Sequence, residues 1–243
     1  MLGRSVELAR IAIDRAQTPA WVAASVGPYG AILADGSEYR GRYGLTLQEL
    51  VRFHRPRIEA LAAAAPDALA LETVPDTGEA EAMLAAAAGT GVDVWLSYTI
   101  DGDRTRAGQP LDEAFGLARD NDQVIAVGVN CCAPRDVALA ADIAARVTGK
   151  PVVVYPNSGE RWDATARQWN GTPLFSPELV QVWRAAGATL IGGCCRVGPA
   201  GISALAEAAR SVAEPPARTV RSRSPRGRTD RPRSSQAART RTV

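Results

Sequence analysis

The 243-residue sequence predicts an α/β fold built on a parallel sheet. Six short runs rich in β-branched or other apolar residues recur along it, at 21–26, 68–73, 92–99, 124–130, 151–155 and 189–192. They alternate with stretches of alanine, leucine and charged residues whose apolar members fall at helical spacing. The short runs are almost continuously apolar, the pattern of strands buried on both faces beneath covering helices. Hydrophobic residues make up 46% of the chain, enough for a substantial core.

The elements follow in order. The chain opens on an amphipathic helix over 4–15, then strand 21–26, closed by Gly27-Pro28-Tyr29-Gly30, a pair of turn signals that reads as punctuation. Thr46, with Glu49 three residues on, makes a capping box at the head of a helix over 47–65. Strand 68–73 ends in Leu71-Glu72-Thr73, where the carboxylate either meets solvent or holds a cationic group of a ligand. Further helices cover 79–88, 111–119, 136–147, 177–186 and 202–210. Ser176 followed by Pro177 predicts the start of the helix over 177–186, with proline at its first position. The loop Pro156-Asn157-Ser158-Gly159-Glu160 is followed by Trp162 and Trp169, which either pack it down or wall a pocket. Both a doubly wound sheet and a (β/α)8 barrel accommodate this alternation, but a barrel needs two strands more than the six seen.

The net charge of +2 conceals a division. Residues 211–243 carry nine arginines against Glu214 and Asp230, whereas the preceding 210 residues carry a net −5. With few apolar residues, the segment 211–243 predicts a disordered Arg/Pro/Ser-rich tail following a domain over 1–210. It lacks aromatic residues for base stacking, so a solvated tail is favoured over nucleic-acid binding. No apolar run reaches the ~18 residues that span a bilayer, and the amino terminus lacks the order of a signal peptide. The expected setting is cytoplasmic, without a membrane partner.

The four cysteines form two adjacent pairs, Cys131-Cys132 and Cys194-Cys195, each directly after an apolar run and beside glycine. In a reducing compartment such clustering favours a metal or catalytic thiols over cross-links. Carboxyl ends of parallel strands share one face, where active sites are built, so the two pairs can converge on one ion. Buried cysteines acting as small apolar residues are the plainer alternative. His54, the only histidine, lies mid-helix and is expected at the surface or half buried; no histidine-based catalysis can rest on it.

Together these motifs resemble the homocysteine S-methyltransferase family. The resemblance is carried by SVGPYGAILADGSEYRGRY (25–43), ALETVPDTGEAEAML (70–84), VGVNCCAPRDV (127–137), VVVYPNSGERWDATARQWNG (152–171) and LIGGCCRVGPAGISAL (190–205). It implies a (β/α)8 TIM-type barrel lacking its first two strands here, with zinc held by Cys131, Cys194 and Cys195 and with Cys132 a neighbour. It also implies that Glu72 binds the amino group of homocysteine; Asn130, in the Gly-Val-Asn-Cys motif, is a second candidate for substrate binding. The implied reaction moves a methyl group from S-methylmethionine or S-adenosylmethionine to homocysteine, giving methionine. The Asp-Gly-Gly strand with which members of the family usually begin has no counterpart in this sequence. A barrel opened in this way is expected to be poorly stable and weakly active. The rival expectations are a zinc-binding remnant without turnover, nucleic-acid binding through the tail, and a relative that uses cobalamin or betaine.

Overall fold

The computed structural model describes residues 1–17, 19–163 and 166–211. Six parallel strands form one sheet: β1 (Ala23–Val26), β2 (Ala68–Val74), β3 (Val94–Tyr98), β4 (Val124–Asn130), β5 (Val152–Tyr155) and β6 (Ala188–Ile191). All six coincide with the apolar runs of the sequence. The helices are α1 (Leu2–Ala16), α2 (Leu47–Ala62), α3 (Thr77–Ala87), α4 (Leu111–Gly116), α5 (Val137–Thr148), α6 (Leu179–Ala185) and α7 (Pro199–Ser211). The expected tail lies, beyond Ser211, outside the described residues.

Sheet order and chain order coincide, from β1 through β6, and every pairing is parallel. A doubly wound sheet would reverse its order at a switch point, and this one does not. Right-handed crossovers between successive neighbours place each connecting helix on the same side, the winding of a (β/α) barrel. Among the described residues β1 and β6 each pair on one side only, so the sheet is six consecutive strands with two edges. The interior strands are apolar because they are covered on both faces. Leu69, Leu71, Leu96, Val127, Val129, Val152 and Val154 are all fully buried.

Local sequence sets the helix starts. Thr46 accepts the Glu49 N–H while the Glu49 carboxylate accepts the Thr46 N–H at 2.8 Å, which completes the capping box of α2. Asp76 caps α3 by accepting the Gly78 N–H at 2.8 Å. Pro177 is not the first residue of a helix as expected. It sits in a turn, and α6 begins at Leu179 after the Val180 N–H has bonded the Pro177 carbonyl at 3.1 Å. Small elements escape the periodicity argument: a one-turn helix Gly30–Leu33, a 3-10 turn Ser37–Tyr39, and two hairpins, Ile100–Asp101 with Arg104–Thr105 and Arg161–Asp163 with Gln168–Asn170. Each is too short to carry a period. No described helix is long and apolar enough to cross a membrane.

One correction concerns His54. It is 0% exposed, packed between α2 and α3 against the equally buried Glu79 of α3. The helix turns this residue inward together with Leu50, Ile58 and Leu61, four and seven residues away, so periodicity places it on the apolar face.

Two glycines test the sheet and its surroundings. A Cβ on Gly128 would lie 1.7 Å from the carbonyl oxygen of Val153 on the neighbouring strand, whereas one on Gly116, at the end of α4, meets nothing within 4 Å. Gly128→Ala is expected to cost at least ~2 kcal/mol, read from the urea midpoint. Gly116→Ala should be neutral or stabilising by ~0.5–1 kcal/mol. Equal midpoints for the two variants would contradict this packing.

Candidate metal centre

The carboxyl ends of β4 and β6 bring the cysteine pairs together. The Sγ atoms of Cys131, Cys194 and Cys195 all lie within 4.8 Å of one another. Cys131 Sγ is 2.7 Å from Cys194 Sγ and 3.9 Å from Cys195 Sγ. Thiolates at ~2.3 Å from a tetrahedral zinc stand ~3.8 Å apart. The Cys131–Cys195 separation fits that edge, and the Cys131–Cys194 contact would open by about an ångström to admit an ion. Three thiols with no fourth protein ligand among the described residues match the donor set of an open site. Cys132 is fully buried in the core and stands outside the trio.

Backbone geometry holds the trio. Cys131 has φ 49°, a left-handed conformation that turns the chain sharply at the end of β4. Its carbonyl accepts from Thr99 Oγ1 at 3.1 Å, and its N–H donates to the Tyr155 carbonyl at 3.3 Å. A Cβ on Gly193 would lie 2.3 Å from Val197 Cγ1, so only glycine lets the chain turn into the second pair there. Asn157 joins the two halves: its N–H donates to the Cys132 carbonyl at 3.0 Å, and its Oδ1 accepts the Cys195 N–H at 3.2 Å.

Without a cation the three thiols compete for one negative charge. Hydrogen bonds from Cys131 and then Cys194 lower Cys195 and make it the favoured thiolate. Cys131 is raised because its proton is held between the other two sulfurs and because it is buried. A bound cation would favour all three thiolates.

Glu72, at the end of β2, accepts hydrogen bonds from Ser25 Oγ and from the Tyr155 hydroxyl, the latter at 2.9 Å. Burial raises its pKa, the two hydrogen bonds oppose that rise, and the nearby Cys194 adds to it. Asn130 is buried with its amide bonded to Thr73, the residue after Glu72: Oδ1 accepts the Thr73 N–H and Nδ2 donates to Thr73 Oγ1, both at 2.7 Å. Thr73 has φ 59°, rare for a β-branched residue, so Asn130 holds a strained strand end in the place that sets Glu72.

Cys131 and Cys132 also line a cavity of about 420 Å³. Its walls include Cys131, Cys132, Asn157, the aromatic residues Tyr39 and Trp169, and the charged residues Asp101, Arg106, Arg135, Asp136 and Glu160. Glu72 is not among its lining residues. Trp169 therefore walls a pocket, one of the two possibilities open in the sequence. The side chain of Trp162 lies outside the described set. Asn157, Tyr39 and Arg106 were not singled out by sequence reasoning. Asn157 carried a signal in the loop after a strand, whereas nothing local marked the other two.

A chain of consecutive parallel β/α units, with thiols from two strand ends converging on one point, defines an α/β protein with a cysteine trio able to hold a metal ion. Within that class the chain belongs to the homocysteine S-methyltransferase family, whose model matches residues 1–209. It is 46% identical over 209 residues to homocysteine S-methyltransferase 4 of Zea mays, covering 82% of this chain and 61% of the relative's length. It is 44% identical over 216 residues to the homocysteine S-methyltransferase of Escherichia coli, covering 84% of this chain and 70% of that protein. The metallated form of the homocysteine methyltransferase MmuM from Escherichia coli superposes with a TM-score of 0.75 at 42% identity, over 86% of this chain and 70% of that one. Its oxidized form gives the same TM-score at 43% identity and the same coverage.

The thiol geometry separates the four cysteines. Cys131→Ala, Cys194→Ala and Cys195→Ala are each expected to lose the bound metal, whereas Cys132→Ala should retain about one ion per chain, measured by elemental analysis. Retention in all four variants would contradict the assignment.

Proposed function

We propose that this chain transfers a methyl group from a sulfonium donor, S-methylmethionine or S-adenosylmethionine, to homocysteine, giving methionine. The observation that carries the reading is the convergence of Cys131, Cys194 and Cys195 near the half-buried Glu72 carboxylate and at the wall of a cavity. The family, and the metallated form of a related methyltransferase, support it.

Zinc is the proposed metal, held by these three thiolates; when bound, it would lower the pKa of the acceptor thiol so that the thiolate forms at neutral pH. The chain's own residues do the rest. Glu72, ionised and already oriented by Ser25 and Tyr155, takes the ammonium group of homocysteine. Asn130 contributes by fixing the strand end that carries Glu72. The acceptor thiolate attacks the methyl carbon, a new C–S bond forms, and the donor C–S bond breaks with its electron pair left on the donor sulfur. The donor leaves as a neutral thioether, so no general acid is required, and a chain whose one histidine is buried meets that condition. An in-line transfer needs acceptor and donor to approach the methyl carbon from opposed directions; the cavity walled by Cys131 is where the donor is proposed to sit.

The test is methionine formation by the purified chain from homocysteine and S-methylmethionine, with metal quantified in the same sample. Metal without turnover would mark a metal-binding remnant and overturn the enzymatic reading.

Glu72 gives a second prediction. A carboxylic acid with a raised folded-state pKa favours folding below its unfolded value and loses that contribution as pH rises through the folded value. At neutral pH the buried carboxylate is therefore a cost to the fold. Glu72→Gln should be at least as stable as the parent at pH 7 in urea, with its relative stability growing as pH rises above the ordinary carboxylate range. It should also raise the KM for homocysteine by ~10–100-fold, the size of a lost charged hydrogen bond. An unchanged KM would remove Glu72 from the acceptor site.

A further inference from the structure

Between α2 and α3 lies a cluster of ionisable groups with no part in the site described above. Glu79 is 1% exposed and His54 0%. Glu79 Oε1 accepts the Tyr29 N–H at 2.6 Å and faces His54 Nε2 at 3.0 Å, while Oε2 accepts the Tyr43 hydroxyl at 3.1 Å. Arg57 Nη2 donates to the Gly27 carbonyl and meets His54 Nδ1. With Nδ1 accepting, His54 is neutral and donates from Nε2 to Glu79, in keeping with the lowering of its pKa by burial. A neutral imidazole thus lies between the buried Glu79 carboxyl group and the half-buried Arg57 guanidinium.

Charges buried this way cost stability unless they hold something in place. What they hold is one segment by both ends: Gly27 and Tyr29 where it leaves β1, Tyr43 where it returns toward α2. The segment also folds on itself tightly. A Cβ on Gly30 would lie 2.5 Å from the Glu38 nitrogen and 2.8 Å from the Tyr43 ring. Tyr29 packs its ring on Tyr43 at 5.1 Å and on Phe53 at 4.8 Å.

The middle of this segment carries Tyr39 into the cavity wall beside Cys131. Its phenol is kept protonated chiefly by burial. The ring also accepts cations, since the Arg106 guanidinium stands 5.7 Å from its centroid.

We propose that Tyr39 selects the positively charged sulfonium of the methyl donor through its aromatic face, and that Glu79 is the positioning residue that holds Tyr39 there. The inference rests on the methyl-transfer reading and deepens it. A sulfonium spreads its charge over the methyl groups it carries, and an aromatic face attracts that charge. Transfer removes the charge, so the same face releases the neutral thioether.

The test compares two ligands by calorimetric titration of the full, zinc-loaded chain without homocysteine. One is S-methylmethionine; the other is 2-amino-5-methylhexanoate, its uncharged carbon isostere. The parent is expected to prefer the sulfonium by about tenfold or more. Tyr39→Phe should keep that preference and Tyr39→Leu should lose most of it. Glu79→Gln should lose it to the same extent, and the double variant should match Tyr39→Leu, because the two act through one contact. If Glu79→Gln does not fold, Tyr43→Phe, which removes one hydroxyl from Glu79, should show a smaller loss in the same direction. A preference that survives Tyr39→Leu, or losses from the two sites that simply add, would overturn the proposal. A parent with no preference for the sulfonium would instead sink the donor assignment beneath it.

Discussion

Three thiols within 4.8 Å of one another cannot all ionise unless a cation joins them, and the upper end of the sheet is arranged around that constraint. Like charges at this distance raise each other's pKa, and hydrogen bonding among the three sulfurs raises Cys131 while it lowers Cys195. The arrangement is fixed by backbone more than by side-chain packing. A left-handed turn at Cys131, a glycine at 193 that admits Val197, and an asparagine that bonds both cysteine loops leave the sulfurs little freedom. Such preorganisation lowers the entropy cost of taking up an ion.

Strain collects at the same face. Thr73, Cys131 and Arg196 all have positive φ, and each lies at or just beyond the carboxyl end of a sheet strand. Each is restrained by a named contact: Thr73 by the Asn130 amide, Cys131 by Tyr155 and Thr99, Arg196 by Glu160 at 2.8 Å. Residues in sparsely populated conformations persist where their surroundings over-determine them, and such places concentrate at functional sites. Ahead of the amino ends of the strands the positive φ angles fall mainly on glycines, at Gly89, Gly91, Gly149 and Gly187, where they cost little. The fold thus divides its labour: apolar strands and helices give a rigid frame, and short strained turns at one end give the chemistry.

The sequence made the frame legible because each strand is covered on both faces and each helix on one. All six strands could be read as apolar runs, and the capping box at Thr46 appears as drawn from its spacing. The cysteine pairs could be read as one centre because parallel strands bring their carboxyl ends to a common face. Whether the sheet closes was not legible, and six strands with two edges are what the described residues show. Tyr39 and Arg106 were missed because they meet only through tertiary folding, on segments too short and irregular to carry a period. His54 was misplaced outward because a polar residue was weighed by type and not by its position among Leu50, Ile58 and Leu61. Its partner Glu79 sits on another helix, and nothing local to either residue announces the pair.

The central claim is that Cys131, Cys194 and Cys195 form a zinc centre that accepts the homocysteine sulfur. X-ray absorption at the zinc edge tests it most directly on the zinc-loaded chain, before and after homocysteine is added. The account predicts three sulfur neighbours at ~2.3 Å at first and a fourth once homocysteine is present. A shell of nitrogen and oxygen, or a sulfur count that homocysteine leaves unchanged, would contradict it.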